Sequence, residues 1–74
     1  MTGAQLRKAR TLLGWPIATI AMRSGLSVDL LRSVEAIEDR EILTGAQSAG
    51  LHHVFYRAGV EMVDGDVRLR DKHP

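Results

Sequence analysis

The sequence predicts a mainly α-helical domain, a bundle of four to five helices closed by a C-terminal β-hairpin. Three observations carry that expectation. Apolar residues recur at three- and four-residue spacing from Leu6 to Phe55, the period of amphipathic helices. The tetrapeptide TGAQ occurs at residues 2–5 and again at 44–47. In each copy the threonine and the glutamine three residues on can cap a helix start reciprocally. After Gly59 the apolar period falls to two, as a strand requires.

The first helix is expected from Gly3 to Leu13, with Leu6, Ala9, Leu12 and Leu13 as its apolar stripe. Gly14 stops it. Trp15 follows, and Pro16 suits the first turn of the next helix, where its missing amide is not needed. That second helix takes in Ile17, Ile20, Ala21 and Arg23 and reaches Ser24. Gly25 supplies a turn with positive φ. Ser27 caps a third helix whose inward residues are Leu30, Leu31 and Val34. The stretch AIEDRE is a charged connection. A fourth helix spans Gly45 to Ala58 with Leu51, Val54 and Phe55 inward. Gly45 and Gly50 weaken it, so tertiary packing has to hold it.

VEMV, then DGD, then VRLR reads as two strands around a tight turn. Val60, Met62, Val67 and Leu69 alternate with polar residues. A lone two-stranded hairpin is marginal in water. It must therefore pack on the helices of its own chain or pair along an edge with another chain. Two units are expected: residues 1–59, helical, and residues 60–74, the hairpin and tail, as a dimer element.

A chain of 74 residues makes one small domain that buries only about 60% of its unfolded surface. Cysteine is absent, which removes disulfides and thiolate chemistry and fits a reducing cytoplasm. No apolar run approaches the ~20 residues of a membrane span, and the N-terminus has no signal-peptide core. The expectation is a soluble cytoplasmic protein with no membrane partner. The net charge of +1 is unevenly placed. Residues 1–34 carry Arg7, Lys8, Arg10, Arg23 and Arg32 against Asp29 alone, while Glu35, Glu38, Asp39 and Glu41 crowd the next seven positions with Arg40. A basic first half suits a polyanion; a solvated charged surface gives the same pattern.

Catalytic chemistry finds no support. His52 and His53 are adjacent, so on a helix they point about 100° apart and lack a third ligand at useful spacing. The IEDRE carboxylates lack calcium-loop spacing. No nucleophile–base pair, phosphate loop or dinucleotide fingerprint occurs. No enzyme activity, cofactor or metal is expected. Trp15 and Tyr56 could stack on bases, although Trp15 stands where a core residue is expected.

The second and third helices have the spacing of a helix-turn-helix. Ala21 lies four residues before Gly25, which makes the turn, and Ile20, Leu26, Leu31 and Val34 occupy the apolar slots that lock the two helices. With the flanking TGAQLRKARTLLGW and RAGVEMVDGDVRLR, the chain from Thr2 to Arg70 resembles the phage repressor/Cro-type helix-turn-helix (XRE) family, its short bacterial members above all. The resemblance implies a transcription regulator that binds double-stranded DNA as a homodimer on a two-fold operator, with the third helix in the major groove.

Carried over to this chain, the DNA-facing positions are Ser27, Val28, Asp29, Arg32 and Ser33, with Arg7, Lys8, Arg23 and Arg40 as candidate phosphate contacts ranked below the helix itself. Arg32 can bond guanine bidentately, Asp29 can accept from cytosine, and Val28 can meet a thymine methyl. Ser27 can cap the helix and touch a phosphate. The resemblance also implies an ion pair between Arg10 and Glu35, and it makes Val60, Met62, Val67 and Leu69 the dimer element. The chain departs from the family at Ile17, where a glutamine often holds a phosphate, and at Pro16, Ala18 and Met22, where polar residues are common. Met22 is expected to be partly buried. These departures keep a second reading open: a protein-interaction module, an adaptor, antagonist or antitoxin, with a second protein as partner and weak or no DNA binding.

Overall fold

The computed structural model describes residues 1–70; the last four positions of the hairpin-and-tail unit lie outside the described residues. Four helices come first: α1 (Gly3–Leu13), α2 (Ile17–Ser24), α3 (Val28–Ala36) and α4 (Gly45–Arg57). An antiparallel pair, β1 (Val60–Val63) and β2 (Asp66–Leu69), follows. The protein is thus mainly helical with a C-terminal hairpin, as the sequence predicts. Among the described residues, no helix is long and apolar enough to cross a membrane.

Both TGAQ segments form the reciprocal cap. Thr2 Oγ1 accepts from the Gln5 amide at 3.2 Å while Gln5 Oε1 accepts from the Thr2 amide at 2.9 Å. Thr44 and Gln47 repeat this at 3.1 and 2.9 Å. Each arrangement satisfies amides that a helix start otherwise leaves open. The glycines then diverge. A Cβ on Gly3 would collide with the Val34 carbonyl oxygen and lie 2.5 Å from that of Ile37. One residue on, the Ala4 amide donates to the Glu38 carbonyl at 3.1 Å. The start of α1 is therefore pressed, backbone on backbone, against the end of α3. Gly45 has nothing within 4 Å of its would-be Cβ.

The core gathers Leu6, Ala9, Ile20, Leu31, Val34, Leu51 and Phe55 from all four helices, with Met1, Val60 and Val67. Leu12 departs from its expected place and is 37% exposed. At 100° per residue it stands about 120° round α1 from Leu6, on the flank of the buried stripe. Val54, also expected inside, is only partly buried.

The hairpin turn is Asp64-Gly65, with φ of 54° and 80°. Left-handed backbone at both central residues is what a two-residue type I′ turn needs. Asp66 thus opens β2 instead of belonging to the loop. The register pairs Val60 with Leu69, Glu61 with Arg68, Met62 with Val67 and Val63 with Asp66. The hairpin face rests on α1 and α4. It is tied to α1 by Lys8 Nζ on Asp66 Oδ1 at 2.8 Å and by Gln5 Nε2 on the Gly65 carbonyl at 3.0 Å.

This packing corrects the expected dimer element. Val60 and Val67 are 2% and 1% exposed, so their side chains complete the core of their own chain and offer nothing to a partner. Met62 is half-buried against the same core. Leu69 alone of the four stands out, at 52%. The two sequence units share one core.

Two predictions follow from the caps and the tether. Gly3→Ala should lower the unfolding free energy by about 1–3 kcal/mol through overpacking, whereas Gly50→Ala, with open space around it, should raise it by about 0.5–1 kcal/mol; urea denaturation of both variants measures the contrast. The Lys8 ammonium, with the Val67 amide, holds the Asp66 carboxyl below the ordinary aspartate range. A lowered value in the folded state stabilises the fold above the unfolded-state value, and that contribution disappears as pH falls through the folded value. An NMR titration should therefore find Asp66 titrating low in the native chain and higher in Lys8→Met.

Candidate nucleic-acid interface

α2 and α3 meet through a three-residue turn whose polar groups are nearly all bonded locally. Gly25 is left-handed, with φ 77°, and its amide donates to the Ala21 carbonyl at 2.9 Å. Ser24 Oγ accepts from the Leu26 amide at 3.2 Å, and Ser27 Oγ caps α3 by accepting from the Leu30 amide at 3.1 Å. Ile20, Leu31 and Val34 are fully buried between the helices, with Ala21, Leu26 and Leu30 packed around them. Sequence reading missed the role of Ser24. A serine just before a helix-ending glycine, free to cap the turn beyond it, is the local signal that could have found it.

The rotation of α3 is fixed from α1. Arg10 Nε donates to Glu35 Oε2 at 2.8 Å and Arg10 Nη2 to Glu35 Oε1 at 2.9 Å, a two-bonded fork of the strong kind. Glu35 is 7% exposed. These hydrogen bonds to Glu35 outweigh the desolvation of the guanidinium and keep the Arg10 pKa above its ordinary value. A third nitrogen, Arg10 Nη1, reaches the Trp15 carbonyl at 3.4 Å. The pair thus joins α1, α3 and the segment before α2.

With Glu35, Leu31 and Val34 inward, the opposite side of α3 presents Asp29, Arg32, Ser33 and Ala36, with Ser27 at its head and Val28 half-buried. Not all of these polar groups are open. The Ser27 hydroxyl oxygen is engaged in the cap. The Ser33 hydroxyl donates to the Asp29 carbonyl at 3.0 Å. Among the described residues, the Asp29 carboxylate and the Arg32 guanidinium have no side-chain partner within bonding distance.

The surrounding cations are placed unevenly. Arg7 Nη1 binds Glu38 at 2.5 Å and Nη2 the Glu35 carbonyl at 2.8 Å, and Lys8 binds Asp66. Arg7 and Lys8, two of the four phosphate contacts expected from the sequence, are therefore engaged with acids of their own chain. The Arg23 guanidinium lies 4.7 Å from the centroid of the Trp15 ring, a cation–π arrangement that holds the charge beside the start of α2. Arg40 is exposed in the connection after α3. No spacing rule links Trp15 to Arg23, because the Pro16 turn intervenes; only the fold reveals that contact.

Trp15 is half-buried and stacks on Phe55, with ring centroids 6.4 Å apart. Tyr56 carries the Arg70 guanidinium over its ring at 4.2 Å. Met22 is 76% exposed, against the expected partial burial. It follows the fully buried Ile20 by two residues, about 200° round the helix. Ile17 is partly buried against the core. A cleft of about 360 Å³ lies between α4 and β1, and none of its lining residues belongs to α2 or α3. No family model, no curated protein and no solved structure matches the chain.

Replacing Glu35 alone with leucine should cost about 3 kcal/mol, because it leaves the Arg10 charge under-compensated beside the core. Replacing both, as Arg10→Met with Glu35→Leu, should recover most of that loss. Thermal unfolding of the two single variants and the double variant closes the cycle, and an additive double variant would contradict the coupling.

Proposed function

We propose that this chain is a sequence-specific DNA-binding regulator of transcription, acting in the cytoplasm on the nucleoid. It places α3 in the major groove and represses by occupying a two-fold operator as a pair of copies. The observation that carries this reading is the α2–turn–α3 unit. Its rotation is locked by Arg10 and Glu35, and it leaves an unpaired arginine on the outward face of α3. The resemblance of LRKARTLLGW and of the helix-turn-helix spacing to the XRE family supports the same reading.

Arg32 is the principal reader in this proposal. Ser33 offers acceptor capacity and Val28 an apolar contact. Arg23, Arg40 and the head of α3 at Ser27 make the phosphate contacts that position the helix. Two copies would set their third helices about 34 Å apart, one duplex turn. The hairpins would meet along their backbone edges with Leu69 beside the join.

The alternative is a protein-interaction module: an adaptor, antagonist or antitoxin. Met22, 76% exposed on α2, and the unpaired Asp29 on the outward face of α3 favour it, because neither is attracted to phosphate.

Retention of genomic DNA fragments at two salt concentrations separates the two readings. With two or three phosphate contacts per copy, log K should fall against log salt with a slope of about −2 to −3 per copy. Arg32→Ala should weaken retention about 5- to 100-fold. No fragment held at low salt would sink the DNA-binding reading. For the pair of copies, the complex with a two-fold fragment should contain two chains per duplex, and Leu69→Lys should reduce it to one; one chain per duplex in the native protein would refute the pairing.

A further inference from the structure

We infer that the half-site read by α3 is centred on G·C base pairs, with Asp29 selecting cytosine and Arg32 selecting guanine on the same or a neighbouring pair. This rests on the DNA-binding reading above and names the sequence class it acts on.

The argument is an inventory of what α3 can offer a groove. The helix reads VDLLRSVEA and contains neither asparagine nor glutamine, the side chains that bond adenine bidentately. The Ser27 hydroxyl accepts from the Leu30 amide and the Ser33 hydroxyl donates to the Asp29 carbonyl. Ser27 thus keeps its proton and Ser33 its lone pairs, and neither retains the full set of donor and acceptors that a free hydroxyl offers. Val28 and Ala36 carry no polar group. Two groups remain unbonded on the outward face, one a pure acceptor and one a pure donor.

Their placement suits base edges. Asp29 and Arg32 are three residues apart, so they are neighbours on one helix face, and no ion pair joins them. The helix advances about 4.5 Å over those three residues, near the ~3.4 Å step between base pairs. A carboxylate inside a groove lined by phosphates is repelled unless it meets a donor. The major groove has two: the amino groups of cytosine and adenine. Adenine sets its N7 acceptor beside that amino group, against the second carboxylate oxygen, whereas cytosine has no such acceptor. Asp29 therefore favours cytosine. The five fixed donors of Arg32 match the paired O6 and N7 acceptors of guanine.

The test is selection from a duplex library with a randomised core, using the full chain, followed by sequencing. The expected result is enrichment of a cytosine and a guanine on the same or adjacent pairs in each half-site. Asp29→Asn should exchange the selected cytosine for adenine. Arg32→Ala should erase the guanine preference and weaken binding about 5- to 100-fold. Both side chains are exposed, and circular dichroism should show each variant folded. Enriched half-sites made only of A·T pairs, or an Asp29→Asn variant that selects the same bases as the native chain, would overturn the inference while DNA binding stands. A library from which nothing is retained would instead overturn the DNA-binding reading, and this inference with it.

Discussion

The contact between α1 and α3 is the constraint on which the rest of the molecule depends. It acts at two levels. Near the ends, Gly3 lets the start of α1 sit against the Val34 and Ile37 carbonyls, and the Ala4 amide bonds Glu38. Further along α1, Arg10 grips Glu35 with two hydrogen bonds. A steric contact and a directional one, about two turns apart on α1 and meeting the same turn of α3, fix both the approach and the rotation of α3. The side of α3 turned to solvent is a consequence: once Glu35 points at Arg10, Asp29 and Arg32 point away.

The same contact decides the electrostatics. The sequence shows a basic first half followed by an acidic run, a segregation that suits a polyanion or a solvated charged surface. Folding sets α1 against the end of α3, so Arg7 and Arg10 meet Glu38 and Glu35. Lys8 is taken by Asp66 from the hairpin. Of the cations up to residue 40, Arg23, Arg32 and Arg40 keep no acid partner among the described residues, and all three lie on α2, α3 or the connection just beyond; Arg57 and Arg68 are exposed elsewhere, on α4 and β2. Folding thus removes three of the five cations of the first half from the free surface and leaves Arg23 and Arg32.

Local chemistry was legible in the sequence, and its physical reason is short range. The two threonine caps, the turns at Gly25 and Asp64-Gly65 and the change of period after Gly59 all depend on residues within four or five positions of one another. The Arg10–Glu35 pair was readable only through the family resemblance. What the sequence could not show depends on neighbours brought from afar. Gly3 and Gly45 occupy identical tetrapeptides, yet one is walled by α3 and the other faces open space. Leu12 fits the stripe by spacing but lies on its flank. Val60 and Val67 alternate as edge-strand residues should, and nothing local says that α1 and α4 will cover them. At the candidate interface the residue types and the Ser27 cap were legible, while the bond from the Ser33 hydroxyl to the Asp29 carbonyl emerges only from the structure.

The hairpin also carries a safeguard. The Arg70 amide bonds the Gly59 carbonyl at 2.7 Å, and in an antiparallel ladder bonded pairs alternate. Val67 therefore belongs to an unbonded pair, and its amide points off the sheet. An open amide on an outer strand is an invitation to any passing strand. Here the Asp66 carboxylate accepts that hydrogen at 2.9 Å and is itself neutralised by Lys8. At Val67 the outer strand is thus shielded from a passing strand by a side chain of its own hairpin.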